Sequence, residues 1–477
     1  MEIRNYLPKG WIQTSIGEIS DVNRRNPVIQ NYSDETFVTF VPMAAVDAEK
    51  GAITTPQIRP LREVRKGFTS FANGDVIIAK ITPCMENGKA AIAKELNNGI
   101  GFGSTEFHVM SPKNIVLSLF LYYFIRQESF RWDAKSNFSG TAGQLRVPRS
   151  FVENYPFPLP PLPEQERIVE RIESLFTQLD AGVAGLKRLR VALKRYKASV
   201  LKAACEGRLV PQDPNDEPAE EMLKRLGKVP LDSYDLPELP KGWCWATLKN
   251  VTEPIQKINP KENPDKEFIY IDISSIDNNI QQIISPKYYI GADAPSRARQ
   301  LVNANDVLFS TVRTYLKNIS IVPEIYDKQV ASTGFCVLRA TSVTSGKYIF
   351  YFSQTDSFLN PLTELQRGTS YPAVRDSDVW EQSIPIPPFS EQERIVSVVE
   401  QHFSVIQELE QTIDANLKRA GRLRQSILKR AFEGKLVTPR VRATHTQTDE
   451  TLESQPPAPD QPISSNTGSP QPAKSRK

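Results

Sequence analysis

The residue types that most often carry catalysis are few in this sequence and stand far apart. A structural zinc ion needs ligands in close pairs, and the chain has no Cys-x-x-Cys pair. General acid–base chemistry has little to draw on, because the histidines are isolated from one another. We therefore expect reduced thiols in a cytosolic protein and no metal site. The cysteines and histidines among the 477 residues are Cys84, Cys205, Cys244, Cys336, His108, His402 and His445.

Two short runs come close to catalytic motifs and lack the residue that defines each. Pro387-Pro388-Phe389 is similar to the Asp/Asn-Pro-Pro-Tyr/Phe motif of adenine methyltransferases, but Ile386 precedes it and cannot hydrogen-bond an adenine amino group. The glycine-rich stretch at 99–103 lacks the G-x-G-x-x-G spacing and is typical of a turn. Each Gly-Lys pair lacks a glycine five residues earlier, so no phosphate-binding P-loop is predicted.

Cationic residues, in contrast, form local groups that suit contacts to phosphate and guanine. Two short loops, at 139–144 and 367–371, lie at matching positions, and their small residues would allow close backbone approach to DNA. A net charge of +4 is too mild to indicate nucleic acid, and for any single arginine a solvated surface charge is an equal alternative. The candidate DNA contacts are Arg59, Arg62, Arg65, Lys66, Thr141, Gln144, Arg297, Arg299, Arg313, Lys317, Arg367, Thr369, Ser370 and Tyr371.

The chain that positions these candidates repeats itself. Leu-Pro-Lys-Gly-Trp at 7–11 recurs at 239–243, and Glu-Gln-Glu-Arg-Ile-Val at 164–169 recurs at 391–396. The offset between matching motifs only shrinks along the chain, whereas chance matches would scatter. The sequence therefore indicates a tandem duplication with a few small deletions in the second copy.

Each copy combines a strand-rich part with one long helix. Apolar residues recur every three or four positions from Ile168 to Val200, with one gap at Gly182, and the second copy follows the same register from Ile395 onward. This period predicts a coiled coil of helices 164–206 and 391–433, since neither narrow stripe can be buried alone. The apolar stripe by itself leaves parallel and antiparallel pairing open.

Polar residues mark the start and the interior of the second helix. Ser390 with Glu393 predicts a capping box at its N-terminus. His402 and Asn416 interrupt the apolar stripe. They are either tolerated near water or set the register of the pair.

The order of these motifs resembles that of one protein family. Each long helix opens with Pro-Pro-Leu-Pro-Glu-Gln-Glu-Arg-Ile (160–168) or Pro-Pro-Phe-Ser-Glu-Gln-Glu-Arg-Ile (387–395) and ends at a Glu-Gly pair. Together with the duplicated Leu-Pro-Lys-Gly-Trp, this order resembles the specificity subunit of type I restriction–modification systems over residues 7–437.

The resemblance implies an α+β fold. Two strand-rich target-recognition domains would be joined by two long helices that form an antiparallel coiled coil, with pseudo-two-fold internal duplication. The implied division is 1–160 for the first target-recognition domain, 161–210 for the central spacer helix, 211–238 for a linker, 239–387 for the second target-recognition domain and 388–437 for the distal spacer helix. Residues 438–477 are rich in Pro, Ser, Gln and Thr with almost no large apolar residue, which predicts a disordered tail.

The resemblance also implies a function in recognition rather than chemistry. Each variable domain would read one half of a bipartite site in double-stranded DNA. Two modification subunits would methylate adenine with S-adenosylmethionine, and restriction subunits would use ATP and Mg²⁺, so no cofactor is expected on this chain. The complex would be cytoplasmic and associated with the nucleoid, with no membrane partner.

Two other interpretations remain open at the level of sequence. The first is a self-sufficient DNA methyltransferase or nuclease, which would turn over without partners. The second is a coiled-coil scaffold for proteins only, which would not bind duplex DNA in a salt-dependent way.

Overall fold

The computed structural model describes residues 7–24, 27–141, 144–232 and 235–437, and the predicted disordered tail at 438–477 lies outside them. The strands of the first half are β1 (Ile12–Ser15), β2 (Ser20–Val22), β3 (Phe37–Val41), β4 (Val46–Asp47), β5 (Ala52–Ile53), β6 (Gln57–Pro60), β7 (Thr69–Ala72), β8 (Val76–Ala79), β9 (Ala90–Ile92), β10 (Ile100–Gly103), β11 (Phe107–Pro112) and β12 (Pro156–Leu159). Its α-helices are α1 (Ile16–Ile19), α2 (Leu61–Val64), α3 (Ser118–Ile125), α4 (Glu128–Ser136), α5 (Arg149–Asn154) and α6 (Leu162–Cys205).

The second half repeats this order after a linker helix. Its strands are β13 (Cys244–Thr247), β14 (Thr252–Glu253), β15 (Glu267–Ile271), β16 (Ile276–Asp277), β17 (Gln282–Ile283), β18 (Lys287–Ile290), β19 (Ala298–Val302), β20 (Val307–Ser310), β21 (Ile319–Ile321), β22 (Gln329–Ser332), β23 (Phe335–Ala340) and β24 (Ser383–Ile386). The α-helices are α7 (Ala219–Arg225) in the linker, α8 (Leu248–Val251), α9 (Gly346–Phe352), α10 (Asp356–Glu364), α11 (Asp376–Trp380) and α12 (Phe389–Phe432).

The two halves have the same sheet topology although their strand sequences differ. The sheets of the first half run β6-β3-β10-β7 and β2-β11-β8-β9, and those of the second run β18-β15-β22-β19 and β14-β23-β20-β21. In each half the pair of central strands β3/β10 or β15/β22 is parallel, and its neighbours are antiparallel. A short ribbon, β1-β12 or β13-β24, ties the start of each half to the entrance of its long helix.

The long helices α6 and α12 pair in opposite directions. Arg190 forms an ion pair with Asp414, and Arg424 forms one with Asp180, so the partner's number falls as the residue number rises. Leu193, Ile406 and Ile413 are buried between the helices, with Leu186, Phe403 and Leu417 packed around them. The predicted α+β class and the antiparallel coiled coil are confirmed.

The polar interruptions of the second helix find partners of two kinds. The Tyr196 hydroxyl and His402 Nδ1 are 3.1 Å apart across the helix pair. Asn416 instead donates to the carbonyl of Thr412 in its own helix. His402 therefore has an inter-helix contact that could help to fix the register, whereas Asn416 does not.

The predicted capping box at the start of the second helix is wrong. The helix begins at Phe389 with Pro388 as its N-cap residue, so Ser390 is already inside the first turn. The first helix also begins early, at Leu162, with Pro163 in its first turn. Proline fits both places, because the first helical N–H groups have no partner within the helix.

The buried cores join the end of one half to the start of the other. Val200, Leu201 and Ala204 of α6 pack in the core of the second half, with Trp243 and Ile395. Ile427, Leu428 and Phe432 of α12 pack in the core of the first half. The C-terminal end of each long helix is therefore anchored in the core of the other half. This packing holds the two domains at the two ends of one helix pair, which we call the rod.

The repeated motifs lie at two places, one in each half, where the end of one long helix meets the start of the other. We call these two places the joints. Gly207 and Gly434 follow the helix ends with φ of +66° and +67°, a left-handed conformation that favours glycine. A Cβ atom would overlap Pro240 at Gly207 and Pro8 at Gly434. The Leu-Pro-Lys-Gly-Trp and Glu-Gly motifs thus pack against each other at both joints.

A buried glutamine completes each joint. Gln165 Nε2 donates to the carbonyls of Pro160 and Ile115, and its Oε1 accepts from the N–H of Leu117. Gln392 makes the matching bonds to Pro387, Val343 and Ser345, and its Oε1 also accepts from the Thr344 hydroxyl at 3.1 Å. The glutamine of the repeated Glu-Gln-Glu-Arg motif therefore holds backbone together, which gives this motif a structural role.

Candidate nucleic-acid interface

The loop at 367–371 forms the tip of a hairpin that holds an arginine in place. Arg367 and Val312 both bridge to Ala373. The Arg313 guanidinium donates to the carbonyl of Ser370 at 3.0 Å and lies over the Tyr371 ring, 4.8 Å from its centroid. Tyr371 is 72% exposed, so the stacked pair faces solvent. A guanidinium held at an exposed tip suits a contact to guanine or to phosphate.

The loop at 139–144 forms the corresponding hairpin of the first half. Ser139 and Ile81 bridge to Arg146, as Arg367 and Val312 do to Ala373. Arg146 is bound by Glu106 through bonds of 2.8 and 2.9 Å, and this guanidinium lowers the pKa of the Glu106 carboxyl. Thr141 and Gln144 lie exposed at the tip, and residues 142 and 143 lie outside the described residues. This tip presents a hydroxyl and an amide where the other presents a guanidinium and a phenol.

The remaining predicted contacts of the first half lie on β6, on α2 and on the two residues after α2. Strand β6 belongs to a different sheet from β8, after which Ile81 bridges to the hairpin. Arg62 pairs with Glu35 and Arg65 with Asp34, so their charges are partly neutralised. The Arg59 guanidinium stacks on the Phe40 ring. Lys66 is exposed.

The remaining predicted contacts of the second half are spread similarly. Arg299 donates to Asn259, Lys317 to Gln354 and Asp356, and Arg367 is 3.5 Å from Asp378. Arg297, Thr369 and Ser370 are exposed. The structure therefore brings Arg313, Ser370 and Tyr371 together and leaves Arg297 and Arg299 on β19 and the loop before it.

Exposed apolar residues on the edge strands were missed by the sequence reasoning. Tyr288 on β18 is 79% exposed, and Ile58 occupies the corresponding edge strand β6. Tyr315 is also exposed, in the turn that follows Arg313. Aromatic residues beside lysine in a strand, as in Lys287-Tyr288-Tyr289, were the available signal.

The described residues contain no cluster of histidine, cysteine, aspartate or glutamate that could hold a metal ion. The four cysteines form no disulfide, and burial raises the pKa of Cys205 and Cys244 to about 12, which keeps these thiols protonated near neutral pH. The glycines at 99–103, predicted as a turn, mostly form the buried strand β10. Among the described helices, none is both long and apolar enough to cross a bilayer.

The comparisons with known proteins agree with this geometry. The family model of the type I restriction modification DNA specificity domain matches residues 8–184 and again 242–419. The type I restriction enzyme EcoAI specificity subunit of Escherichia coli is 29% identical over 475 residues, spanning 83% of this chain and 78% of that one. The EcoEI specificity subunit of the same species is 35% identical over 305 residues, 51% of each chain.

Solved structures share the fold at low sequence identity. The HsdS subunit of Thermoanaerobacter tengcongensis has a TM-score of 0.57 at 21% identity, covering 90% of this chain and 98% of its own. A chain from a structure of the type I R-M system has a TM-score of 0.67 at 22% identity, covering 90% and 99%. The chain therefore belongs to the family of type I restriction modification DNA specificity domains, and it carries two of them.

Proposed function

We propose that this chain is the DNA-specificity subunit of a type I restriction–modification complex. Each half reads one half-site of a bipartite sequence, and the coiled coil sets the distance between them. The chain is not itself an enzyme. It binds two modification subunits and restriction subunits, which carry S-adenosylmethionine, ATP and Mg²⁺, in a cytoplasmic complex associated with the nucleoid.

One observation carries this proposal: two unlike hairpins occupy the same position in two domains at opposite ends of one antiparallel rod. Helices of 44 residues are about 66 Å long. A rod of this kind holds two reading surfaces further apart than one turn of DNA, about 34–36 Å. The bases between the two half-sites then remain unread.

The tips supply different chemistry, which suits two different half-sites. Side chains such as Arg313 and Gln144 can each contribute roughly 1–3 kcal/mol of discrimination if they reach base edges. We assign residues 1–160 and 239–387 to recognition and the two spacer helices, 161–210 and 388–437, to separation and assembly. Phosphate contacts by lysine and arginine would make binding fall steeply with salt.

A methylation map tests the proposal. The chain is coexpressed with its modification subunit, and methylated adenines are mapped. We expect a site in two blocks, of which one changes when residues 240–385 are exchanged for another variable domain. A site in one block, an unchanged site after the exchange, or turnover by the purified chain alone would contradict it.

A further inference from the structure

The start of the second long helix is covered by the linker. We define the second entrance as Trp243, Glu391 and Arg394, and the first entrance as the corresponding Trp11, Glu164 and Arg167. At the second entrance, Trp243 Nε1 donates to Glu391 at 3.0 Å, and Gln212 donates to the same carboxylate at 3.2 Å. Arg394 forms an ion pair with Asp216 at 2.5 Å. Two side chains of the linker thus complete this site.

The first entrance has the same residues without the cover. Trp11 is only 6% exposed, and its backbone turn matches that of Trp243. Among the described residues, Trp11 Nε1 and Arg167 Nε are buried without a hydrogen-bond partner. Buried donors of this kind are rare in folded proteins. Elsewhere in the described part of the chain only Ser111 Oγ and Arg131 Nε are in the same state, so two of these four atoms belong to the first entrance.

The chain after the second helix reaches the same point and then differs in sequence. Lys435 N–H donates to the carbonyl of Arg430, as Arg208 does to Ala203, so the two paths agree there. When the two copies are aligned on their helix motifs, Pro439 corresponds to Gln212 and Ala443 corresponds to Asp216. The segment 438–448 contains two arginines and no acidic residue, so its charge does not suit Arg167.

We propose that the first entrance is a docking site for an acidic, extended segment of a partner subunit. The segment carries a side-chain amide or other donor for Glu164 and a carboxylate for Arg167, spaced as Gln212 and Asp216 are. Its arrival turns Glu164 inward to accept from Trp11. The second entrance needs no such segment, so the two ends of the rod bind their partners differently. This proposal rests on the proposed function, since it assumes assembly with other subunits.

A peptide with the sequence of residues 209–218 is the first probe. The full chain is labelled with 5-fluorotryptophan, and the signal of Trp11 among the five tryptophans is assigned with Trp11→Phe. We expect the peptide to shift the Trp11 signal saturably and to leave Trp243 unchanged, because its site is occupied. A peptide that carries Gln212→Leu and Asp216→Asn should cause no shift. Absence of any Trp11 shift at millimolar peptide overturns the proposal.

Charge variants provide the second test. Arg167→Glu and Arg167→Gln should abolish the peptide shift and weaken association with the modification subunit at least tenfold, whereas Arg171→Glu, exposed one turn further on, should do neither. In the free chain Arg394→Glu should lower the melting temperature and Arg167→Gln should not. Equal association of the Arg167 and Arg171 variants overturns the proposal, even when the methylation map still shows a bipartite site.

The tail is tested by ending the chain at residue 437. We expect the Trp11 signal of the free chain to stay the same and the peptide to bind as before. A changed Trp11 signal after truncation, or peptide binding only after truncation, would make the tail the occupant and overturn the proposal. Loss of the bipartite methylation site itself would instead be a failure of the proposed function.

Discussion

At the entrance to each long helix a buried glutamine makes the same three hydrogen bonds to the backbone, whereas the hairpins that precede these helices share a position and little else. Gln165 and Gln392 each bind two carbonyls and one backbone N–H. The tips present Thr141 and Gln144 in one half, and Arg313 with Tyr371 in the other. The comparison teaches that a few repeated contacts determine the frame, by which we mean the helix pair and the two places where it meets the domains. The hairpin tips, which we call the reading surfaces, are then free to differ.

Lengthening the frame should have the largest effect, because it changes the site that is read. Inserting seven residues into each helix, at the facing residues Arg190 and Asp414, keeps the heptad register and lengthens the rod by about 10 Å. We expect the unread gap to grow by about three base pairs and both half-sites to stay the same. Methylation mapping in the coexpressed complex measures this.

The matched control inserts seven residues into α6 alone. The helices then cannot align over their whole length, and we expect loss of assembly rather than a new gap. If the double insertion methylates sites with the original gap, the rod does not set the distance.

The buried glutamines offer the next largest effect, and it should be of similar size in the two halves. Gln165→Leu leaves two carbonyls and one N–H without a partner, and each such group costs about 1–3 kcal/mol. We expect the free energy of unfolding of the first half to fall by about 3 kcal/mol or more, and Gln392→Leu to do the same in the second half. Hydrogen exchange in β12 and β24 measures the two halves separately.

Gln178→Leu is the control for this pair, since Gln178 is exposed on the same helix as Gln165. Its effect should stay within about 0.5 kcal/mol. A large effect in only one half would show that the two glutamines do not stabilise their halves to the same extent.

The hairpin tips should show the opposite behaviour, with effects confined to one half-site. Arg313→Ala removes a half-buried guanidinium that lies over the exposed Tyr371 ring, and it should weaken binding to the second half-site about tenfold, or about 1.4 kcal/mol. The discrimination between bases in the first half-site should not change. Competition with DNA substituted in one half-site at a time measures both.

Arg62→Ala is the contrasting change in the other half. Because Arg62 pairs with Glu35 at the exposed surface, we expect little change in the free energy of unfolding and a smaller change in DNA affinity than for Arg313. A loss of sequence discrimination with Arg62→Ala that equals the loss with Arg313→Ala would transfer the reading surface to β6 and α2.

The frame was largely predictable from sequence, because its contacts recur in order. The apolar stripes and the repeated motifs predicted the two long helices, and the glycines at 207 and 434 predicted where these helices end. The helix starts were wrong by about two residues, since a proline at the N-cap competes with Ser390 for the first turn.

The reading surface was less predictable, because it depends on contacts between distant parts of the chain. Arg62 and Arg65 looked free in the sequence, yet Glu35 and Asp34 approach them from an earlier loop. Arg313 and Tyr371 are 58 positions apart and meet because Val312 bridges to Ala373 and the Arg313 N–H donates to the carbonyl of Pro372. Only the fold shows which cations are already paired.

The smallest predicted effect is a difference between the two halves in how the free energy of unfolding depends on pH. His108 on β11 and Cys336 on β23 occupy the same position in the two halves, and both are buried. Burial lowers the pKa of His108, whose ring nitrogens are 2.9 Å from Asn23 Nδ2 and 2.8 Å from the Val147 carbonyl oxygen. Burial raises the pKa of Cys336 well above its ordinary value near 9.

The signs of the two pH dependences are opposite. A histidine that stays neutral when folded takes up a proton on unfolding below about pH 6.5, so the first half should lose stability as the pH falls through this range. A thiol that stays protonated when folded loses its proton on unfolding above about pH 9, so the second half should lose stability as the pH rises. Each slope is at most about 1.4 kcal/mol per pH unit. His108→Cys should remove the part of the acid dependence of hydrogen exchange in β11 that lies near pH 6.5, above the range of the Glu106 carboxyl, and leave β23 unchanged. Equal acid dependence in both strands would instead trace it to groups that the two halves share.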